Sequence, residues 1–188
     1  MGRRDAATLI LDALARPAGG LALHEQDRMR VAFNRSLAAA SERARSLSVD
    51  ELVAAPDFVR LLADRLESRE TLDGVAQQLH CLLEFALLSG SDGVSFYFSH
   101  AEPASAQAAL EAMRALGWSD DAEAFAGILA LVGDALGDDA AEERLRGFFA
   151  RRNFEALACR LRFTDLTATP EVEDALRAFV RAHADAFV

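Results

Sequence analysis

Val75-Ala76-Gln77-Gln78-Leu79-His80-Cys81-Leu82-Leu83-Glu84-Phe85-Ala86-Leu87-Leu88 is the stretch that decides the fold class. Val75, Leu79, Leu82, Leu83 and Ala86 recur every three or four residues, the period of one helix face, and strand alternation is absent. Cys81, Phe85 and Leu88 occupy other sides of the same helix. Apolar on more than one side, its second half is expected to be enclosed by other helices or by a partner subunit.

The same period recurs outward from this stretch. Met29, Phe33, Leu37, Ala40, Ala44 and Leu47 place one face of a long helix upstream, and Phe58, Leu61, Leu62 and Leu66 follow Pro56, a residue suited to a helix start. Downstream, Ser89-Gly90-Ser91-Asp92-Gly93 reads as a break before a short helix, Val94-Ser95-Phe96-Tyr97-Phe98. Ala104 to Leu116 is a helix stopped by Gly117. Another opens with Ser119 as N-cap, with Asp120 and Asp121 in its first turn, and runs to a stop at Gly137. The last follows Thr169-Pro170 with Val172, Leu176, Phe179, Val180, His183 and Phe187 on one stripe, where His183 reads as a core histidine. No repeat or linker divides the chain. The expectation is an all-α fold, a single compact domain over residues 1–188 with seven to nine helices.

Charge divides the chain more sharply than hydropathy. From Glu70 to Glu143 there are fourteen acidic residues and one basic one, Arg114, so this segment carries -13 while the whole chain carries -10. The rest therefore sums to +3: residues 1–69 are nearly balanced and residues 144–188 are arginine-rich. A one-signed surface attracts basic proteins and repels nucleic acid over a screening length of about 8 to 10 Å. A hydrophobic content of 52% over 188 residues suffices for a real core. Every positive side chain besides histidine is arginine; lysine does not occur.

Cys81 and Cys159 each sit inside an apolar helical pattern, which favours buried free thiols over a disulfide and a cytoplasmic location. Met1-Gly2-Arg3-Arg4 invites a signal-peptide reading, but Asp5 and Asp12 interrupt the apolar stretch such a signal needs, so an amphipathic first helix is expected. The longest low-polarity run, Ala124 to Gly133, is about half a membrane span, and no membrane association is expected.

Leu83-Glu84-Phe85-Ala86-Leu87-Leu88-Ser89-Gly90-Ser91-Asp92-Gly93-Val94-Ser95-Phe96-Tyr97-Phe98-Ser99-His100 resembles the signature of the DNA-mimic-protein-like family, acidic all-helical bacterial proteins. Glu84 matches its glutamate, Asp92-Gly93 stands in its turn, Tyr97-Phe98 matches its aromatic pair and His100 replaces its final asparagine. Ala108 to Gly117 and Phe179 to Phe187 are similar to its later helices, so the likeness spans roughly Leu83 to Val188. The resemblance implies an all-helical fold and a non-enzymatic role as an acidic decoy for a basic DNA-binding protein.

Such mimicry requires carboxylates at phosphate-like spacing. Helix residues three and four apart lie about 5 to 6 Å apart at Cβ, while phosphates along one strand advance about 3.4 Å per step. If the helix from Ser119 continues to Leu136, Asp120, Glu123 and Asp134 share a sector of roughly 60° opposite Phe125, Ile128, Leu129, Val132 and Leu136. Asp121, Asp138, Asp139, Glu142 and Glu143 complete the eight acids between Ser119 and Glu143, the candidate partner-binding face.

Two plainer readings compete: a solvated acidic face, and neutralisation by Arg144, Arg146, Arg151, Arg152, Arg160 and Arg162, opposed only by Glu155. The latter contact could also join the two halves of a homodimer. An interaction or immunity-type protein would instead bind through the aromatics at Phe96, Tyr97 and Phe98, which point about 100° apart on a helix so that one core does not easily cover all three. An enzyme would place its cleft beneath Asp92, Tyr97 and His100, with His80 and Glu84, one turn apart, as acid and base. The serines lack a Gly-x-Ser-x-Gly nucleophile elbow, Gly90-Ser91-Asp92-Gly93 lacks the lysine of a phosphate loop, and no His, Cys and carboxylate grouping has metal-ligand spacing. No catalytic residue, cofactor, metal or direct nucleic-acid contact is expected. The expected partner is a basic protein.

Overall fold

A computed structural model describes residues 38–39, 41–72, 74–149 and 169–188. The stripe from Met29 to Ala40, Cys159 and the arginines from Arg151 to Arg162 lie outside them. The chain groups into two units, Met1–Arg43 and Ala44–Val188, and the helices from Val49 onward belong to the second.

Its helices are α1 (Val49–Ala54), α2 (Phe58–Glu67), α3 (Gly74–Asp92), α4 (Val94–His100), α5 (Pro103–Ala115), α6 (Ser119–Val132), α7 (Asp139–Phe149) and α8 (Pro170–Ala182). A 3₁₀ turn at Gly133–Ala135 follows α6, and another at Ala184–Phe187 ends the chain. No strand occurs among the described residues, and the fold is all-α as expected.

Local chemistry sets the element ends. Before α1, the Glu51 amide donates to Ser48 Oγ at 3.2 Å and the Ser48 amide to Glu51 Oε2 at 2.8 Å, a reciprocal capping box. These hydrogen bonds hold the Glu51 carboxyl below its ordinary range. The α5 end is a Schellman motif: the Trp118 amide reaches Met113 O at 2.9 Å, the Gly117 amide reaches Arg114 O at 3.0 Å, and Gly117 takes φ +74°.

Two expected boundaries move. Helix α3 continues through Ser89, Gly90, Ser91 and Asp92, and the chain turns only at Gly93, where φ is +92°. Packing overrides the turn propensity of the serines; Ser89 is itself buried. Helix α6 stops at Val132 because Gly133 turns with φ +55°, so Asp134 does not extend the row begun by Asp120 and Glu123. Ser119 is the first helical residue of α6, and Trp118 holds the N-cap place.

Helix α3 is the axis of the unit. It packs most extensively against α5, then α4 and α2, and it also meets the Ala184–Phe187 turn; α4 packs on α7, α5 on α6, and α8 on α1. The expected stripe is realised: Leu79, Leu82, Leu83 and Ala86 are buried, and so are Cys81 and Phe85 on its other sides. Phe85 lies edge-on to Tyr97 at 4.8 Å and to Phe125 at 4.9 Å, and Phe98 stands 5.1 Å from Phe125. This aromatic knot ties α3, α4 and α6 together.

Arginines close the helix ends. Within α2, Arg65 lies on the apolar stripe, 5% exposed, donating from Nε to Ala44 O at 2.8 Å, from Nη1 to Phe187 O at 2.9 Å and from Nη2 to Leu47 O. Arg69 Nη1 donates to Ala186 O at 2.6 Å. On α8, Arg177 reaches Val53 O and Ala55 O at the end of α1, pairs with Glu173 and stands 4.6 Å over the Phe58 ring. Carbonyls at a helix C-terminus lack intrahelical donors and carry partial negative charge, so a guanidinium from another helix suits them.

Gly137 fills a tighter role. Its amide donates to Phe98 O at 3.0 Å, its φ is +82°, and a Cβ there would stand 3.0 Å from Ala101 O. Gly137→Ala is expected to destabilise the fold by about 1 to 3 kcal/mol through left-handed strain and backbone crowding. A thermal melt checks it, and an unchanged midpoint would show that the α4 end can yield.

Candidate acidic interface

Helices α6 and α7 and the segment joining them carry the eight candidate acids, and their geometry separates them. Asp120 and Glu123, in the first turns of α6, are exposed. Asp121, one step round the helix from Asp120, is 2% exposed and belongs to the interior, which removes it from the candidate face. The break at Gly133 turns Asp134 out of the α6 row; its carboxylate takes a hydrogen bond from Arg144 Nη1 at 2.7 Å. The same Nη1 donates to Val132 O at 2.5 Å, closing the end of α6. That hydrogen bond and the guanidinium charge hold the Asp134 carboxyl below its ordinary range.

On α7, Asp138 Oδ1 accepts from the Ala140 amide at 2.8 Å and serves as a cap. Glu142 pairs with Arg146 at 2.5 Å, while Asp139 and Glu143 are exposed. Two of the expected arginines, Arg144 and Arg146, therefore compensate Asp134 and Glu142. Asp120, Glu123, Asp139 and Glu143 remain as exposed acids of this pair of helices. Glu84, Glu102 and Glu111 add exposed carboxylates on and around α3 and α5, Glu111 accepting from Gln78 Nε2 at 3.0 Å.

The motif turn separates in a different way. Glu84 is exposed on α3, and Gly93 forms the corner before α4. Tyr97 is 1% exposed and Phe98 fully buried. Phe96 is the aromatic left partly exposed; it stacks on the exposed His100 ring at 4.1 Å and 25°. His100 Nδ1 lies 2.9 Å from Phe96 O and 3.1 Å from Ser99 Oγ, so the imidazole is engaged by its own helix. Tyr97 points inward and His100 outward, and they do not line a common cleft. His80 is half-buried on α3, one turn from exposed Glu84.

His183 follows the end of α8 and is exposed, with its ring 4.7 Å from Phe179. The expected core position is corrected because the helix stops at Ala182, before the stripe reaches it. A shallow depression runs along Arg181 to Ala186 beside it. Among the described residues, no group of three or more His, Cys, Asp and Glu side chains is placed to hold a metal ion, and no helix is long and apolar enough to cross a membrane. Burial pushes the Cys81 thiol up from its ordinary range.

Sequence reading missed the arginine clamps. Their one signal was Arg65, four residues after Leu61 on the α2 stripe, a charge at a core position. Comparison of the chain with models of known families, with curated proteins and with solved structures found no match.

Proposed function

We propose that this protein acts by binding, offering the carboxylates of α6 and α7 to a basic protein, and that a nucleic-acid-binding protein is the partner class whose surface best complements it. One observation carries the reading: Asp120, Glu123, Asp139 and Glu143 are exposed within a segment whose single base is Arg114. Such a surface raises association rates with a cationic partner and repels nucleic acid itself. The likeness of the Glu84 to His100 stretch to the DNA-mimic-protein-like family supports the same role. In that role the protein needs no catalytic group, cofactor or metal, and a cytoplasmic location suits it.

The aromatic-turn alternative changes its residues. Tyr97 belongs to the core, so Tyr97→Ala would report stability before binding, and the Phe96–His100 stack is what α4 offers to a partner.

Capture from host lysate on the immobilised full chain tests the proposal. The chain is expected to recover a basic protein at low salt and release it as salt rises. A variant with Asp120→Asn, Glu123→Gln, Asp139→Asn and Glu143→Gln is expected to bind that protein roughly tenfold or more weakly, mainly through slower association. Equal, salt-insensitive recovery by both chains would defeat the reading.

A further inference from the structure

Helix α4 ends against the acidic segment. Phe98 O accepts the Gly137 amide at 3.0 Å, and Ala101 O lies 3.0 Å from where a Gly137 Cβ would stand. His100 sits between Phe98 and Ala101 and is exposed; so are Glu102, which follows Ala101, and Asp138 and Asp139, which follow Gly137. An exposed imidazole therefore borders the entry to α7, where the carboxylates of the proposed binding face begin.

Hydrogen bonding fixes which ring nitrogen carries the proton. His100 Nδ1 lies 2.9 Å from Phe96 O, and a carbonyl only accepts, so Nδ1 is the donor. Ser99 Oγ, 3.1 Å from Nδ1, turns its own proton toward the Phe96 and Ser95 carbonyls, so its lone pairs can accept from the ring as well. The neutral imidazole then keeps a lone pair on its other nitrogen, Nε2. The Phe96 ring, 4.1 Å away between centroids and 25° from parallel, covers one face of the imidazole. Tautomer and orientation are thus set before a partner arrives, so little ordering is lost on binding.

We infer that His100 Nε2 accepts a hydrogen bond from an arginine guanidinium of the basic partner. An acceptor bordered by carboxylates suits a cationic donor, and the guanidinium's planar fork offers one N–H to Nε2 and others to the acids alongside. The inference rests on the basic-partner reading above and adds a contact that depends on direction, which a row of carboxylates does not supply.

Isotope-labelled histidine nitrogens, observed by NMR in the full chain during titration with a nona-arginine peptide, test it. At about pH 8, where imidazole is ordinarily neutral, His100 is expected to show a protonated Nδ1 and a bare Nε2. The peptide is expected to move the Nε2 resonance upfield, the direction of an accepted hydrogen bond. His100→Phe keeps a ring beside Phe96 and the charge of the neutral form, and is expected to weaken peptide binding about threefold or more. A protonated Nε2, an Nε2 resonance that stays in place as peptide is added, or unchanged affinity in His100→Phe would each overturn the contact. An equal shift with nona-lysine would overturn the choice of guanidinium. Loss of affinity in the Asp120, Glu123, Asp139 and Glu143 variant but not in His100→Phe would leave the acidic-face reading standing while this contact falls; the opposite pattern would keep the contact and remove that reading.

Discussion

Arg65→Ala is expected to cost about 3 to 5 kcal/mol, the loss of three hydrogen bonds from a charged group at about 1.5 to 3 kcal/mol each, reduced by their non-additivity. The guanidinium holds the carbonyls of Ala44 and Leu47 near the start of the unit and of Phe187 at its end, positions far apart in sequence. Truncation would leave those carbonyls short of a donor and open space among Phe58, Leu61, Leu62 and Leu66, its buried companions on α2. Burial lowers the Arg65 pKa, with the neighbouring Arg69 adding to the effect. Arg65→Lys is expected to recover little, because one ammonium cannot serve three carbonyls as a planar fork does. Urea denaturation measures both; a loss under about 1 kcal/mol for Arg65→Ala would show that the clamp is incidental.

Phe85→Ala should cost about as much, roughly 3 to 5 kcal/mol, for a different reason. Phe85 is fully buried and meets Tyr97, Phe98 and Phe125 at 4.8, 6.3 and 4.9 Å between ring centroids. Its removal forfeits transfer free energy and leaves a cavity that three rigid rings cannot easily collapse into. Phe85→Leu keeps most of the volume, and its cost should fall to about 1.5 kcal/mol plus the lost edge-to-face contacts. If alanine and leucine cost the same in a denaturant titration, shape rather than cavity volume would be the controlling term.

The α3 stripe was legible because period and burial coincide in a helix with neighbours on several sides. Gly117 was legible as a stop because a Schellman motif needs few residues and local geometry. Gly133 was not: it lies between Val132 and Asp134 in a run whose period continues to Leu136, and only its positive φ ends the helix. That one residue decides whether Asp134 joins the α6 row or pairs with Arg144. Asp121 and His183 show the same dependence, since the faces they occupy follow from which side α6 presents inward and where α8 stops. The arginine clamps were hidden because a carbonyl's need for a donor depends on what packs over it, and the sequence does not show this.

The central claim is that position, and not net charge alone, makes the acidic segment a binding surface. Two charge-matched variants test it against the partner captured at low salt. One neutralises Asp120, Glu123, Asp139 and Glu143; the other neutralises Glu67, Glu171, Asp174 and Asp185, which are exposed outside the acidic segment. The account predicts association slowed roughly tenfold or more in the first and changed little in the second, with the wild-type salt dependence kept only by the second. Equal slowing in both would contradict it and reduce the acidic face to a contribution to overall charge.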